Sequence, residues 1–351
     1  MGGVAGGDRG EGYQVIMEIS SPHTLIVGTG AMASLFAARL AASGFPVRML
    51  GSWQPGLKAL KKRGVCLVEA DGSEHYYPVE VTDDPNSCLG IKSALVLVKS
   101  WQTLRAAQQL SICLDSDGIA LTLQNGLDNH PVLAEVLGLE RAAVGVTTVG
   151  ATLLEAGRVK MGGNGMIALG AHNRLEQLAD LLKMAGFTVE IAADTEAMVW
   201  GKLVINAAIN PLTALLQVPN GELLTNPAGR DLMGLAALET AAVAKARGVS
   251  LPFQNPVEAV EAVAQRTGGN LSSMLRDIQR GGPTEIDAIN GAVVRLGERN
   301  HIPTPVNHTL WQLVKALEST LARWPWIAAT SSPARIRLSL ADRQAMINPP
   351  S

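Results

Sequence analysis

The stretch that decides the fold is His23-Thr24-Leu25-Ile26-Val27-Gly28-Thr29-Gly30-Ala31-Met32-Ala33-Ser34, continued by Leu35-Phe36-Ala37-Ala38-Arg39-Leu40-Ala41-Ala42. A short apolar run enters a glycine-rich turn and then strong helix formers, the order of strand, turn and helix in a dinucleotide fingerprint of the G-x-G-x-x-A type. Each position answers a separate demand. Gly28 permits the tight turn, Gly30 lets the backbone approach a pyrophosphate, and small Ala33 lets the helix pack on the strand. Free N–H groups at the helix start then face negative charge. Gly28, Thr29, Gly30, Ala31, Met32 and Ala33 are therefore the candidate cofactor-binding residues, and the competing reading is a tight turn into an ordinary helix.

A second strand, Pro46 to Leu50, follows Gly44 and completes the βαβ spacing. Nucleotide sites that select NAD place an acid at this strand's end for the ribose hydroxyls, yet Leu50-Gly51-Ser52-Trp53-Gln54 contains none. That absence tolerates a 2′-phosphate, with Ser52, Gln54 or Lys58 as donors, and favours NADP. Two further apolar runs, Ala94 to Val98 and Ile119 to Leu123, read as buried strands and end in Lys99 and in Gln124-Asn125-Gly126. In an open parallel sheet the residues just past the strand carboxyl ends line the ligand crevice. Lys99 and Asn125 fall there; a solvated lysine and a plain Asn-Gly turn are the alternatives. Ala142 to Thr148, Met166 to Leu169 and Thr188 to Ile191 continue as strands around a helical Arg174 to Ala185.

From Asp194 onward the pattern changes to helices punctuated by Gly and Pro: Thr195–Asn210, Pro227–Arg247, Pro256–Gln265, Leu271–Gln279, Glu285–Asn300 and Pro305–Leu321. The expected organisation is an extension over 1–22 without order, a nucleotide-binding unit over 23–193, a helical unit over 194–323 and a loosely attached tail over 324–351. On the first of these helices Lys202, Asn206 and Asn210 stand at i, i+4 and i+8, which drifts only about 80° around the axis. They form one polar stripe. The rest of that helix is apolar, so it should be buried, and buried polar groups need partners, whether other side chains or a substrate. Ser272-Ser273 and Thr284-Glu285-Ile286-Asp287 add hydroxyls and carboxylates at two helix starts. Their structural readings are an N-cap for Ser272, a capping box for Thr284 with Asp287, and dipole complementation for Glu285.

Composition sets the limits. The 351 residues suit two domains, and 29 basic against 31 acidic residues leave a net charge of -2, with no basic field for nucleic acid or a membrane surface. Hydrophobic residues at 47% supply a sizeable core. Ala197 to Val218 is long and apolar enough to suggest a membrane span, but Lys202, Asn206 and Asn210 argue for a buried soluble helix. Cys66, Cys88 and Cys113 lack disulfide or zinc spacing, six scattered histidines offer no metal site, and the opening segment holds no signal-like apolar run. These features lead us to expect reduced thiols and a cytoplasmic protein without a metal.

Taken together, the residues resemble the ketopantoate reductase family (2-dehydropantoate 2-reductase) over roughly Thr24 to Leu321. The most specific stretch is Trp200-Gly-Lys-Leu-Val-Ile-Asn206-Ala-Ala-Ile-Asn210-Pro-Leu-Thr-Ala, followed by Asn220-Gly-Glu, Ser272-Ser-Met-Leu and Thr284-Glu-Ile-Asp. The resemblance implies a Rossmann-type α/β domain followed by an all-α domain like the carboxyl-terminal part of 6-phosphogluconate dehydrogenase. It also implies NADPH-dependent reduction of 2-dehydropantoate to (R)-pantoate in pantothenate and coenzyme A biosynthesis. Carried over residue by residue, it makes Lys202 the general acid and Glu285 a catalytic and cofactor-side carboxylate. Asn125, Asn206, Asn210, Asn220 and Ser273 become substrate contacts, and Lys99, Asn125 and Ser52 lie on the cofactor side. Many members carry an Arg where this chain has Ser52. The readings to be separated from it are a paralogue reducing another 2-oxo acid and a nonenzymatic NADP-binding sensor. A small-molecule substrate and a homodimer fit the sequence, which shows no interface stripe separable from core.

Overall fold

The computed structural model describes residues 24–163 and 165–323. His23, the 1–22 extension and the 324–351 tail lie outside the described residues. The chain begins with β1 (Thr24–Val27), α1 (Ala31–Ala42), β2 (Arg48–Leu50), α2 (Gln54–Arg63), β3 (Val65–Val68), β4 (Glu74–Tyr77) and β5 (Glu80–Thr82). It continues through β6 (Ile91–Val96), α3 (Thr103–Cys113), β7 (Leu114–Thr122), α4 (Asn129–Leu137) and β8 (Ala142–Thr147). β9 (Ala151–Glu155), β10 (Arg158–Met161), β11 (Met166–Gly170), α5 (Glu176–Met184) and β12 (Thr188–Ala192) complete this half.

Eight strands form one sheet in the order β12-β11-β8-β7-β6-β1-β2-β5. The six from β5 to β8 run parallel, and β11 pairs antiparallel with β8. The chain leaves β1 toward β2 and returns to its other side at β6, so a topological switch point opens at the carboxyl ends of these strands. One sheet face packs α1 and α5, where Phe36 stacks on Phe187 with centroids 4.5 Å apart; the other packs α3 and α4. A second sheet, β4-β3-β10-β9, lies over α1. The sequence reading did not anticipate it, because two of its strands, β4 and β9, are exposed or half-buried edges without an apolar run.

The helical half comprises α6 (Thr195–Leu216), α7 (Glu222–Thr225), α8 (Pro227–Ala246), α9 (Pro256–Arg266), α10 (Ser273–Gln279), α11 (Asn290–Arg299) and α12 (Pro305–Arg323). Asp194 caps α6 by accepting from the Ala197 N–H. Two expectations need correction. First, α6 runs past Pro211 to Leu216 instead of stopping at Asn210. Proline removes one helix hydrogen bond, but the turns on both sides are buried against α8, α10 and α12, and packing outweighs that loss. Second, α11 begins at Asn290, and Glu285 lies in the preceding turn. Glu285 therefore does not complement a helix dipole. Thr284 Oγ1 accepts from Ile286 N–H as a local turn, while Asp287 binds Trp311 and Lys315, so no capping box forms.

α6 is the one described helix long and apolar enough to cross a membrane by length and composition, and two thirds of its most apolar window is buried inside the fold. Its surroundings are the apolar faces of α8, α9, α10 and α12. All three cysteines are free and buried.

Candidate active site

The turn after β1 has the geometry its sequence demands. Gly28 holds φ at +130°, and a Cβ there would lie 3.0 Å from the Leu97 carbonyl oxygen and 3.3 Å from Ala33 Cβ. Nothing but glycine fits, and the small Ala33 is what lets α1 sit so close. Gly30 differs: a Cβ there would meet nothing within 4 Å, so the space before the α1 N-terminus is open. Among the described residues no side chain caps that terminus, and no acid lies in its first turn, which leaves its N–H dipoles available for an anion. The donor set and open cradle fit a dinucleotide pyrophosphate at Gly30, Ala31 and Met32. Thr29 turns its buried side chain toward Gly51 and Gly56, buttressing the turn that carries half-buried Ser52. Gln54 donates one of its two N–H groups to Asp83 at 3.3 Å.

The carboxyl ends of β6, β7 and β8 meet the helical half. Glu285 is 6% exposed, and its Oε1 accepts from the Ser100 N–H at 3.1 Å while Oε2 accepts from Asn125 Nδ2 at 3.0 Å. Asn125 Oδ1 in turn lies 3.5 Å from Asn206 Nδ2 on α6. Gly126 makes the junction tight: its φ is +93°, and a Cβ would fall 2.5 Å from the Ala288 carbonyl oxygen. Behind Asn125, Asn129 donates to the Asn125 carbonyl at 2.7 Å and accepts from Thr103, while Gln124 donates to Val98 O and Thr103. This network fixes the two strand ends. Lys99 extends from the β6 end to Asp277 on α10 at 2.6 Å, with Glu285 at 3.9 Å.

Lys202 is the least compensated charge in the cleft. Its ammonium donates to the Thr147 carbonyl oxygen at the end of β8, 2.8 Å away, and it forms no ion pair among the described residues. Burial pushes its pKa down to about 8, and the field of Glu285 limits the fall without direct contact. Lys99 shows the opposite balance. Burial works against its charge, but Glu285 and Asp277 prevail and hold its pKa above the ordinary lysine value. Burial raises the Asp277 carboxyl even against the neighbouring Lys99.

The remaining predicted residues separate clearly. Asn210 is buried with no side-chain hydrogen bond among the described residues, and Asn220 donates to Thr267 while its Oδ1 is buried and unpaired. Ser272 is structural: it is buried, caps α10 through the Leu275 N–H and accepts from Thr213. Ser273 is exposed. Sequence reasoning missed Asp277, Thr147, Ser100 and the Gln124–Asn129–Thr103 bracket. Of these, Ser100 and Gln124 adjoin strand-end residues that the sequence singles out, whereas Asp277 and Thr147 leave no local pattern.

An α/β half with a nucleotide-type switch point, closed by a helical half that brings a lysine, a carboxamide and two carboxylates to it, defines a two-domain oxidoreductase. Family models described as "Ketopantoate reductase PanE/ApbA" and "Ketopantoate reductase PanE/ApbA C terminal" match residues 24–174 and 194–318. The chain belongs to the ketopantoate reductase family, whose enzymes act on CH–OH groups. It is 34% identical to the 2-dehydropantoate 2-reductase of Halobacterium salinarum over 296 residues, which is 83% of this chain and 97% of that protein. A crystal structure of a PanE/ApbA family ketopantoate reductase from Ralstonia eutropha superimposes with a TM-score of 0.78 at 30% identity, over 85% of this chain and 99% of the other. D-mandelate dehydrogenase with NADH and anilino(oxo)acetate shares the fold at a TM-score of 0.80 and 24% identity, over 85% and 99% of the two chains.

Proposed function

We propose that this chain reduces 2-dehydropantoate to (R)-pantoate, with residues 23–193 holding a nicotinamide cofactor and 194–323 supplying the substrate-facing side chains. The observation that carries the reading is the Lys202 ammonium, without an ion pair among the described residues, on a stripe with Asn206 and Asn210 and donating to the end of β8 within the field of Glu285. A reduced nicotinamide dinucleotide, its pyrophosphate held by the Gly28–Ala33 turn, would supply the hydride when bound. Charge then develops on the former keto oxygen, and Lys202 stabilises it and delivers the proton that completes the secondary alcohol. Glu285 maintains that ammonium through its field and accepts from the substrate's primary hydroxyl. Asn125, Asn206, Asn210, Asn220 and Ser273 orient the substrate without adding charge, and Lys99 serves the cofactor side.

NADPH as the reductant rests on Ser52 and on a turn with no acid of its own. Asp83, on the neighbouring strand end, is the charge that opposes it. The deciding experiment follows oxidation of NADPH and, in parallel, NADH with ketopantoate and a panel of other 2-oxo acids. Ketopantoate turnover with NADPH preferred is expected; turnover of pyruvate-like acids but not ketopantoate would overturn the substrate.

A further inference from the structure

Asp277 forms the shortest contact between the two halves at the cleft, and the one side chain its carboxylate meets among the described residues is Lys99, on the cofactor side of the proposed chemistry. Its carboxylate is 12% exposed and lies 2.6 Å from Lys99 Nζ, whereas Glu285 lies 3.9 Å from the same nitrogen. Lys99 thus has two carboxylates within ion-pair range, in direct contact with Asp277 and at the outer limit with Glu285, and both support its charge. The consequence falls on Glu285, whose two oxygens remain committed to the Ser100 N–H and Asn125 Nδ2. The charge of Glu285 is also what sustains the Lys202 ammonium from across the cleft.

We propose that Asp277 is a positioning residue that holds Lys99 off Glu285, so that Glu285 stays oriented by Asn125 and its field reaches Lys202. This rests on the reading of Lys202 as the proton donor and adds a residue to it. The charged groups around the pair are Lys99 at the β6 end, Glu285 before α11 and Arg280 one helical turn along α10, with Lys202 on α6 responding through Glu285. Arg280 donates to the Leu153 carbonyl oxygen at 2.7 Å, and its charge acts on both Lys99 and Asp277. Loss of the Asp277 charge leaves Lys99 one carboxylate to close on. Glu285 is then neutralised at short range, and Lys202 loses its proton at lower pH.

The test uses the full chain and two readouts: the pH dependence of kcat/KM for ketoacid reduction, and the titration of Lys202 in protein labelled with 13C at lysine Cε, its resonance assigned by Lys202→Arg. In Asp277→Asn the basic limb and the resonance titration both move down by about one pH unit, while Asp277→Glu leaves them in place. In a Lys99→Met background, adding Asp277→Asn moves neither, because Asp277 acts only through Lys99. That comparison also serves if Asp277→Asn alone does not fold, since it removes both charges together. An unmoved titration in folded Asp277→Asn, or a shift that persists without Lys99, overturns the proposal. The resonance needs no turnover, so a wild-type chain inactive on ketopantoate fails the functional reading without touching this one.

Discussion

The glycine turn of the α/β half and the polar stripe of α6 solve opposite problems. The turn works by what it lacks: no Cβ at Gly28, open space at Gly30, no side chain over the α1 N-terminus. Such a turn binds through backbone groups, so the pattern is short and shared by many proteins that hold dinucleotides. The stripe works by what it keeps. Lys202, Asn206 and Asn210 sit in a helix whose other side chains are mostly apolar, and each retains polar capacity not consumed among the described residues. A site that binds can be made of absences, but one that donates a proton needs a group kept short of partners.

The change that breaks this contrast most sharply is Lys202→Ala. If the stripe is the reacting half, kcat falls by about 10²- to 10⁴-fold while cofactor affinity, read by nicotinamide fluorescence, changes little. Equal losses in both would make Lys202 part of the nucleotide site. Next in size is Gly126→Ala, at the seam between the halves. A Cβ against the Ala288 carbonyl oxygen, on a backbone at φ +93°, costs about 1–3 kcal/mol of stability and pushes the Glu285 turn away from Asn125. Thermal denaturation should show the first effect and a fall in kcat the second.

The pH dependence follows from the same isolation of Lys202. If its protonated form is the donor, reduction should fall as pH rises through about 8, and alcohol oxidation, which needs the neutral amine, should gain over the same range. Stability moves the other way. Between about pH 8 and the ordinary lysine range the unfolded chain holds a proton at this position that the folded chain has lost, so folding is favoured as pH rises there. The stability advantage of Lys202→Met over the natural chain should therefore be full below pH 8 and shrink above it. An advantage independent of pH would mean that Lys202 titrates normally.

Legibility in the sequence tracked the same divide. β1, the turn, β6 and β7 carried apolar runs with punctuated ends, and the stripe was visible because helical periodicity placed three polar residues on one face of an otherwise apolar segment. Pro211 concealed the last turns of α6, since its local penalty is plain in the sequence and the packing that outweighs it is not. Glu285 was identified as a residue but misplaced as the start of a helix; its role as the acceptor between Ser100 and Asn125 depends on chain distant in sequence. Asp277 and Thr147 were not anticipated for the same reason. A carboxylate 178 positions from its lysine, or a backbone carbonyl at a strand end, has no local pattern.

The smallest test separates structure from recognition within one dipeptide. Ser272 spends its hydroxyl on the α10 cap and on Thr213, and Ser273, one residue on, spends none among the described residues and faces outward. Ser272→Ala should cost about 1 kcal/mol of stability, seen as a lower Tm, because a buried cap is lost. Ser273→Ala should leave Tm nearly unchanged and raise KM for the ketoacid by roughly two- to tenfold, the worth of one hydrogen bond. Helix geometry turns adjacent residues about 100° apart, so neighbours in sequence answer to different surroundings. If Ser273→Ala instead lowers Tm and leaves KM alone, its hydroxyl belongs to the fold, and the substrate-facing set shrinks to the asparagines beside Lys202.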